Sequence, residues 1–476
     1  MFSILVVLNL ISDRKIIIGL ILVQMLLCFL VMDKFPISLD EPFSIFHSQQ
    51  NFENLFQIFE NENNPPLHFV FLHFWIKLFG GSIFALRSLG LLISLISIVC
   101  LYKFGRKFWK KEYAILLVSL FIFSRLDHYV AMEVRMYGLF TLFFILVITT
   151  FYSFLFENKR TFIQLGIWNA MLLYTHYLGG VVIVMEGLVF LFFFSSWTKS
   201  KLSQGVLALC VGVVFYIPGI SIFMNRVDSF KSNGSWVAPA EIQDLWSNLV
   251  KLLNNEFTLF VTVALVILSI ILGKRKKDSD GSKTHLYFGF WFIGGYLLMF
   301  LISLIFQPMF IAKYIQFLTI PLFLIIVAFV ARYEYTGLKR FIPFLIIIPF
   351  TLSFKPVPDV NRNTDELMAY IKEIKHDDSV FYCPPHYGLT LSYHYNQDVF
   401  EDYENTSSRM VEAGFKPIYA SDAISVNAPS RLIFIDFDSE MLYPNNGILP
   451  FLEEYYNMNE VQSFKGNFSV YTFDNY

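Results

Sequence analysis

Residues 16–41 read IIIGLILVQMLLCFLVMDKFPISLDE. Residues 16–32 carry no charged side chain, and a bilayer core takes roughly 17–25 apolar residues as helix. The stretch therefore reads as a membrane crossing. Beyond it come an acidic pair, Asp40-Glu41, and then Asn63-Asn64-Pro65-Pro66-Leu67-His68. An apolar segment, a carboxylate pair and a Pro-Pro turn leading into an aromatic helix point to chemistry at a membrane surface. A carboxylate there can take the proton of an incoming hydroxyl while a second substrate stays anchored in lipid.

Composition extends this reading to the whole chain. The 476 residues are 55% hydrophobic and 16% charged, with mean hydropathy +0.55. Soluble domains carry about 25% charged residues, so the class is a polytopic membrane protein. The net charge of −2 implies no strong electrostatic partner, and the basic stripe that nucleic acid requires is missing. Cys28, Cys100 and Cys210 lie in apolar runs and Cys383 stands alone in the polar tail. This is neither a zinc spacing nor a disulfide framework. Residues 2–11 are apolar but lack a basic segment before them and a small-residue cleavage site after them, so they are not expected to be a cleaved signal peptide.

Basic clusters set the topology. Arg14-Lys15, residues 103–111, Lys159-Arg160, residues 199–201, residues 274–283 and Lys339-Arg340 punctuate the apolar runs, and cytoplasmic loops hold the excess of Lys and Arg. The expected crossings are 16–32, 83–101, 113–124, 136–155, 161–175, 178–195, 203–222, 257–273, 286–305, 313–331 and 341–354, about eleven helices. The third and fifth are short for a full crossing. The outward loops are then 33–82, 125–135, 178–180, 224–256 and 306–312. In the first, 43–60 reads as a surface helix and 67–79 as an aromatic segment suited to the interface.

The expected domains are 1–354, transmembrane with a long first external loop, 355–362, a linker around Lys355-Pro356-Val357-Pro358, and 363–476, a soluble α/β domain. In the last, 365–375 has helical period, 379–383 and 431–438 read as strands, and 464–473 reads as a hairpin around Gly466-Asn467. An odd number of crossings puts this domain outside.

Candidate chemistry clusters at the outer ends of the apolar runs. Asp40 reads as a general base with Glu41 orienting it or holding an acceptor, set against an ordinary hydrated carboxylate after a helix. Pro65-Pro66 suits a helix start, with Asn64 and His68 beside it. Asp127, Glu133, Arg135 and Tyr137 lie close to the start of an apolar run, where charge is costly. Glu133 and Arg135 either pair with one another or with other loops, or Arg135 grips an anionic phosphate through bidentate hydrogen bonds. Arg87 and Lys313 sit at outer helix ends, where snorkelling also accounts for each, and His176 caps another. Glu186 sits inside an apolar run, where a carboxylate is either functional or paired within the bundle.

At these residues the chain resembles the GT-C superfamily of membrane glycosyltransferases. It is similar to bacterial relatives of the protein O-mannosyltransferases and of the lipid A aminoarabinose transferases. The resemblance runs through Asp40-Glu41, Asn64-Pro65-Pro66-Leu67, Phe84-Ala85-Leu86-Arg87, Glu133-Val134-Arg135-Met136-Tyr137, Thr175-His176-Tyr177 and Lys313-Tyr314, and it covers most of 16–330. Two departures stand out. The aminoarabinose transferases tend to have Glu-Lys where Asn63-Asn64 stand here, and many relatives have Arg where this chain has Lys313.

The resemblance implies a sugar donor linked to polyprenyl phosphate, a glycan, lipid or protein acceptor, and inversion at the anomeric carbon. In it Asp40 is the base, and Arg135, Lys313 and Arg87 bind the donor phosphate. Asn64, His68, Asp127, Glu133, Tyr137 and His176 support them. No cofactor is firmly implied. A divalent cation fits the carboxylates, but no ligand spacing demands one. The expected activity is hexosyl or pentosyl transfer at the outer face of a bacterial-type plasma membrane. The rival is a transporter or flippase of lipid-linked sugars, which is expected to show half-repeats and interrupted helices. The chain shows no repeat, and Glu186 is the residue that favours the rival.

Overall fold

The computed structural model describes residues 11–37, 40–51, 55, 59, 64–157, 160–193, 198–233, 237–276, 281–357, 364–376, 379–401, 405–424, 431–443, 445–465 and 468–474. Asn63, Lys159, linker residues 358–362 and the turn residues Gly466-Asn467 lie outside them. The chain divides into two compact units. One is Met1–Met32, Phe56–Phe71 and Phe79–Pro356; the other is Asp33–Leu55, Leu72–Leu78 and Val357–Tyr476.

The first unit is helical. Ile83–Phe108, Tyr137–Phe156, Lys199–Val227, Lys283–Ile305 and Ala312–Ala331 are long and apolar enough to cross a membrane. The bent pair Ile242–Leu252 and Glu256–Leu272 makes a sixth span if taken as one. The other five expected crossings fall on shorter helices: Asp13–Phe29 has 17 residues, Lys111–Ile122 has 12, Phe162–Thr175 and Gly179–Phe192 have 14 each, and 341–354 falls on Gly337–Ile346 and Ile347–Ser353, with 10 and 7. At 1.5 Å per residue a 12-residue helix spans about 18 Å, well short of a ~30 Å hydrocarbon core. Length and composition therefore support five or six crossings among the described residues, where the apolar runs suggested about eleven.

Local chemistry sets the helix ends. Ser12, Ser82, Ser124, Thr198 and Asn255 cap helix starts by accepting backbone N–H groups, the usual role of short polar side chains there. The 76° bend between Ile242–Leu252 and Glu256–Leu272 is made at Asn254. Its φ of 69° lies in the left-handed region that Asn tolerates better than most residues. The Asn254 side chain ties the bend to its neighbours. Its Nδ2 donates to Phe123 O (2.9 Å) and Ser353 Oγ (3.0 Å), and its Oδ1 accepts from Arg125 N (2.8 Å).

Packing differs sharply between helices. In Ala312–Ala331, 83% of the apolar stretch is buried, against 11% in Lys199–Val227. The second helix meets Phe162–Thr175 backbone to backbone: a Cβ on Gly166 would stand 2.5 Å from Ala208 O, and one on Gly212 would stand 3.3 Å from Gly166 O. Seams of small residues are how helices approach closely in lipid.

The second unit carries a five-stranded sheet. Its strands are β1 (Ser379–Cys383), β2 (Phe415–Pro417), β3 (Arg431–Phe437), β4 (Asn457–Phe464) and β5 (Phe468–Asp474). Their order is β2-β1-β3-β5-β4, with β1 parallel to β2 and β3, and β5 antiparallel to β3 and β4. The fully buried Phe381 and Ile433 line one face of the sheet; Leu432 and Phe434 line the other. β1, β3 and the helix Thr364–Ile374 fall where periodicity puts them. β4 begins seven residues before the expected hairpin, because both its faces are exposed and it lacks apolar alternation. The edge strand β2 ends in Pro417, which an edge tolerates.

Asp40 opens a helix, Asp40–Gln49, in this second unit, where the sequence suggested a loop followed by a helix from 43. Pro42 suits the first turn. Phe46 packs on Phe400, with ring centroids 5.2 Å apart, and His394 Nε2 donates to Ile37 O (2.6 Å) just upstream.

Candidate functional site

The polar centre of the helical unit is built on the segment between Arg125–Val130 and Tyr137–Phe156. Ser124 caps the first of these helices, its Oγ accepting from Asp127 N (3.3 Å). The chain then turns sharply, with Arg135 N donating to Glu133 O (2.8 Å). Gly90 lets the turn lie against the Ile83–Phe108 helix: a Cβ there would stand 2.6 Å from Ala131 O.

This turn delivers Glu133 and Arg135 into the interior, 5% and 7% exposed. Lys313, on the short helix Ala312–Ile315, reaches Glu133 Oε1 at 2.8 Å. Its Nζ also stands 4.8 Å from the centre of the Tyr137 ring, a cation–π distance. Aromatic rings close the cluster. His176 lies 5.8 Å from Tyr137 and 5.7 Å from Tyr314, and Tyr137 lies 6.2 Å from Tyr314. Two cations and one carboxylate stand here, Arg135 and Glu133 buried and Lys313 half-buried. A buried guanidinium and a half-buried ammonium are groups that can meet an anionic ligand.

The neighbouring histidines are electrically neutral. Burial first, and then the Arg135 charge, push His68 down to about 3 against the pull of the Val134 backbone. Burial, then Arg135 and Lys313, hold His176 at about 3.

Asp127 is a clasp below the cluster. Its Oδ1 accepts from Gln316 Nε2 and from Thr319 Oγ1 (3.1 Å), tying the Arg125–Val130 helix to the segment that carries Lys313. Burial raises its carboxyl to about 7, against the lowering effect of its bonds to Ser124, Thr319 and Gln316. His128, beside it, donates from Nε2 to Pro356 O (3.2 Å) and is pushed down to about 4 by burial.

The structure thus brings together Glu133, Arg135, Tyr137, His176 and Lys313, with His68 near Arg135. Arg87 is wholly buried and donates to Met32 O, closing the end of the first helix. Asn64 is half-buried in the turn before Pro65. Asp40 and Glu41 belong to the second unit, Asp40 exposed and Glu41 4% exposed. Glu186 has a partner that the sequence did not show: Asn169 Nδ2 donates to its Oε2 at 2.7 Å.

Sequence reading missed Asn254, Gly90 and Gln316. The Asn254-Asn255 pair ahead of an apolar run was the available signal for the first. Among the described residues no group of three or more His, Cys, Asp or Glu is placed to hold a metal ion.

Residues 63–221 match a family described as dolichyl-phosphate-mannose-protein mannosyltransferase. Among solved structures, the chain is similar to ArnT from Cupriavidus metallidurans bound to undecaprenyl phosphate. The TM-score is 0.59 at 11% identity, over 97% of this chain and 98% of that one. It is also similar to the apo oligosaccharyltransferase of Archaeoglobus fulgidus, with TM-score 0.51 at 12% identity, over 97% of this chain and 74% of that one. No curated protein sequence matches.

Proposed function

We propose that this chain, which has the fold of the GT-C membrane glycosyltransferases, is an inverting glycosyltransferase that moves a sugar from a polyprenyl-phosphate donor to an acceptor hydroxyl. The observation that carries the reading is the grouping of Arg135, Glu133 and Lys313 at the polar centre of the helical unit, in a fold shared with a protein crystallised with undecaprenyl phosphate.

In this reading Asp40 takes the hydroxyl proton. The acceptor oxygen forms its bond to the anomeric carbon from the face opposite the phosphate, while the carbon–oxygen bond to phosphate breaks. Polyprenyl phosphate leaves with the electron pair. Its charge is met by Arg135 and Lys313, which act as fixed electrostatic stabilisers, and Arg87 adds a buried positive charge. A phosphate is a good leaving group, so no general acid is required. The Lys313 ammonium has three donors, and a phosphate oxygen can join Glu133 as an acceptor. Asp40 is exposed, as a base that meets an incoming acceptor must be. The acceptor is a glycan, a lipid or a protein. The reading includes reaction at the outer face of the plasma membrane, eleven membrane crossings and an external sheet domain. Glu186, the residue that favours the transporter alternative, accepts a hydrogen bond from Asn169.

The test is transfer of a labelled sugar from polyprenyl phosphate to a panel of acceptors by the purified protein, with the product anomer read by NMR. Asp40→Asn is expected to lose transfer while still binding donor. If Asp40→Asn transfers at the normal rate, the base assignment fails. If the unmodified protein consumes no donor, the transferase reading fails.

A further inference from the structure

His176 follows the last residue of the Phe162–Thr175 helix, and its backbone and ring are both committed. Its carbonyl accepts from Gly179 N (2.9 Å) and its ring Nδ1 accepts from Leu178 N (3.1 Å). The bond from Leu178 is the one hydrogen bond the ring makes among the described residues. A ring nitrogen that accepts from a backbone N–H carries no proton of its own. The proton of the neutral imidazole therefore sits on Nε2, and Nε2 is a donor.

The surroundings fix where that donor is held. The ring lies against Tyr137, Phe140 and Tyr314, with centroids 5.8, 6.0 and 5.7 Å away. The same Tyr137 ring carries the Lys313 ammonium. His176 and Lys313 thus share one aromatic wall, and the ring is only partly buried. Positive charge from Arg135 and Lys313 opposes a third cation here, and burial works in the same direction.

We infer that His176 binds the donor phosphate, giving its Nε2–H to a phosphate oxygen whose charge Arg135 and Lys313 neutralise. This rests on the lipid-phosphate reading above. The tautomer excludes two other roles. Nε2 has no lone pair to act as a base. A metal on Nε2 would force the proton onto Nδ1, against the N–H of Leu178, whereas metal-binding histidines normally donate from their second nitrogen. A neutral donor adds direction to the phosphate site without adding charge that would hold the product.

The experiment measures affinity for undecaprenyl phosphate in detergent micelles, for the unmodified protein and for His176→Phe, His176→Gln and Lys313→Gln. Phenylalanine keeps the ring packing and removes the donor. It is expected to weaken binding by about 10- to 100-fold, the loss typical of a hydrogen bond to a charged group. Glutamine places an N–H near the position of Nε2 and is expected to recover most of that loss. Normal affinity in His176→Phe with weakened affinity in Lys313→Gln overturns the role of His176 and leaves the lipid-phosphate reading standing. No binding by the unmodified protein overturns both. A third arm needs no variant: EDTA is expected to leave affinity unchanged. Binding that EDTA abolishes and zinc restores would overturn the assigned tautomer.

Discussion

Replacing Asp127 with Asn should change how the protein's stability depends on pH. The carboxyl lies among Gln316, Thr319 and Thr141, and the protons there can be counted. Thr141 has one hydroxyl proton and two acceptors within reach, Tyr137 O at 2.9 Å and Gln316 Oε1 at 2.8 Å. Gln316 Nε2 and Thr319 Oγ1 both donate to Asp127 Oδ1, and Asp127 Oδ2 has no hydrogen-bond partner among the described residues.

Burial raises the carboxyl from an ordinary value of 3.8 to about 7. The sign follows from linkage. A raised folded value gives stability that is whole below about 3.8 and is lost as pH rises through about 7. Between pH 5 and pH 7 the loss is about 2 kcal/mol, from a slope of about 1.4 kcal/mol per pH unit that tapers near pH 7, and above pH 7 it levels off. Asn does not titrate, and its amide offers Gln316 either an acceptor or a donor. Thermal melts of the detergent-solubilised protein at pH 5 and pH 8 should therefore show a drop in the unmodified protein that Asp127→Asn lacks by several degrees. Other titrating groups cancel in the comparison. Equal drops in the two proteins would refute the reasoning.

Gly90→Ala puts a methyl 2.6 Å from Ala131 O. It should cost about 1–3 kcal/mol by overpacking and lower donor affinity through the displaced Glu133–Arg135 turn, read by melting and by binding. Asn254→Gly keeps the left-handed backbone but removes the ties to Phe123, Ser353 and Arg125, a loss of about 1–3 kcal/mol. Asn254→Ala should melt lower still, because it adds roughly 1–2 kcal/mol of backbone strain. Lys313→Gln should reduce kcat/KM for the lipid donor by about 10²–10³, the usual result of removing one electrostatic stabiliser, while Lys313→Arg retains most of it.

Hydropathy located the helices because a bilayer demands long apolar runs, but length and composition support only five or six of the expected crossings among the described residues. A 12-residue run such as Lys111–Ile122 looks the same in sequence whether it crosses a membrane or packs inside a bundle. Glu133, Arg135, Tyr137, His176 and Lys313 were legible as polar residues beside apolar runs, where charge needs a reason. Their pairings were not, because Lys313 reaching Glu133 and His176 lying against Tyr137 depend on how the folded backbone brings separate helix ends together. Arg87 at a helix end reads as a phosphate ligand, and the sequence does not announce its bond to Met32 O. Nor does a mid-helix carboxylate such as Glu186 announce an amide seventeen residues upstream.

The small-residue seam at Gly166, Ala208 and Gly212 has a consequence for handling the protein. The Lys199–Val227 helix meets its neighbour along that seam, and 11% of its apolar stretch is buried within the protein. Moving apolar side chains from lipid tails to protein yields no hydrophobic gain, so the surrounding acyl chains serve as this helix's solvent and as part of its scaffold. Short-chain detergents replace that scaffold poorly. The helix should be the first to loosen on extraction, and preparations in nanodiscs should hold it where micelles do not.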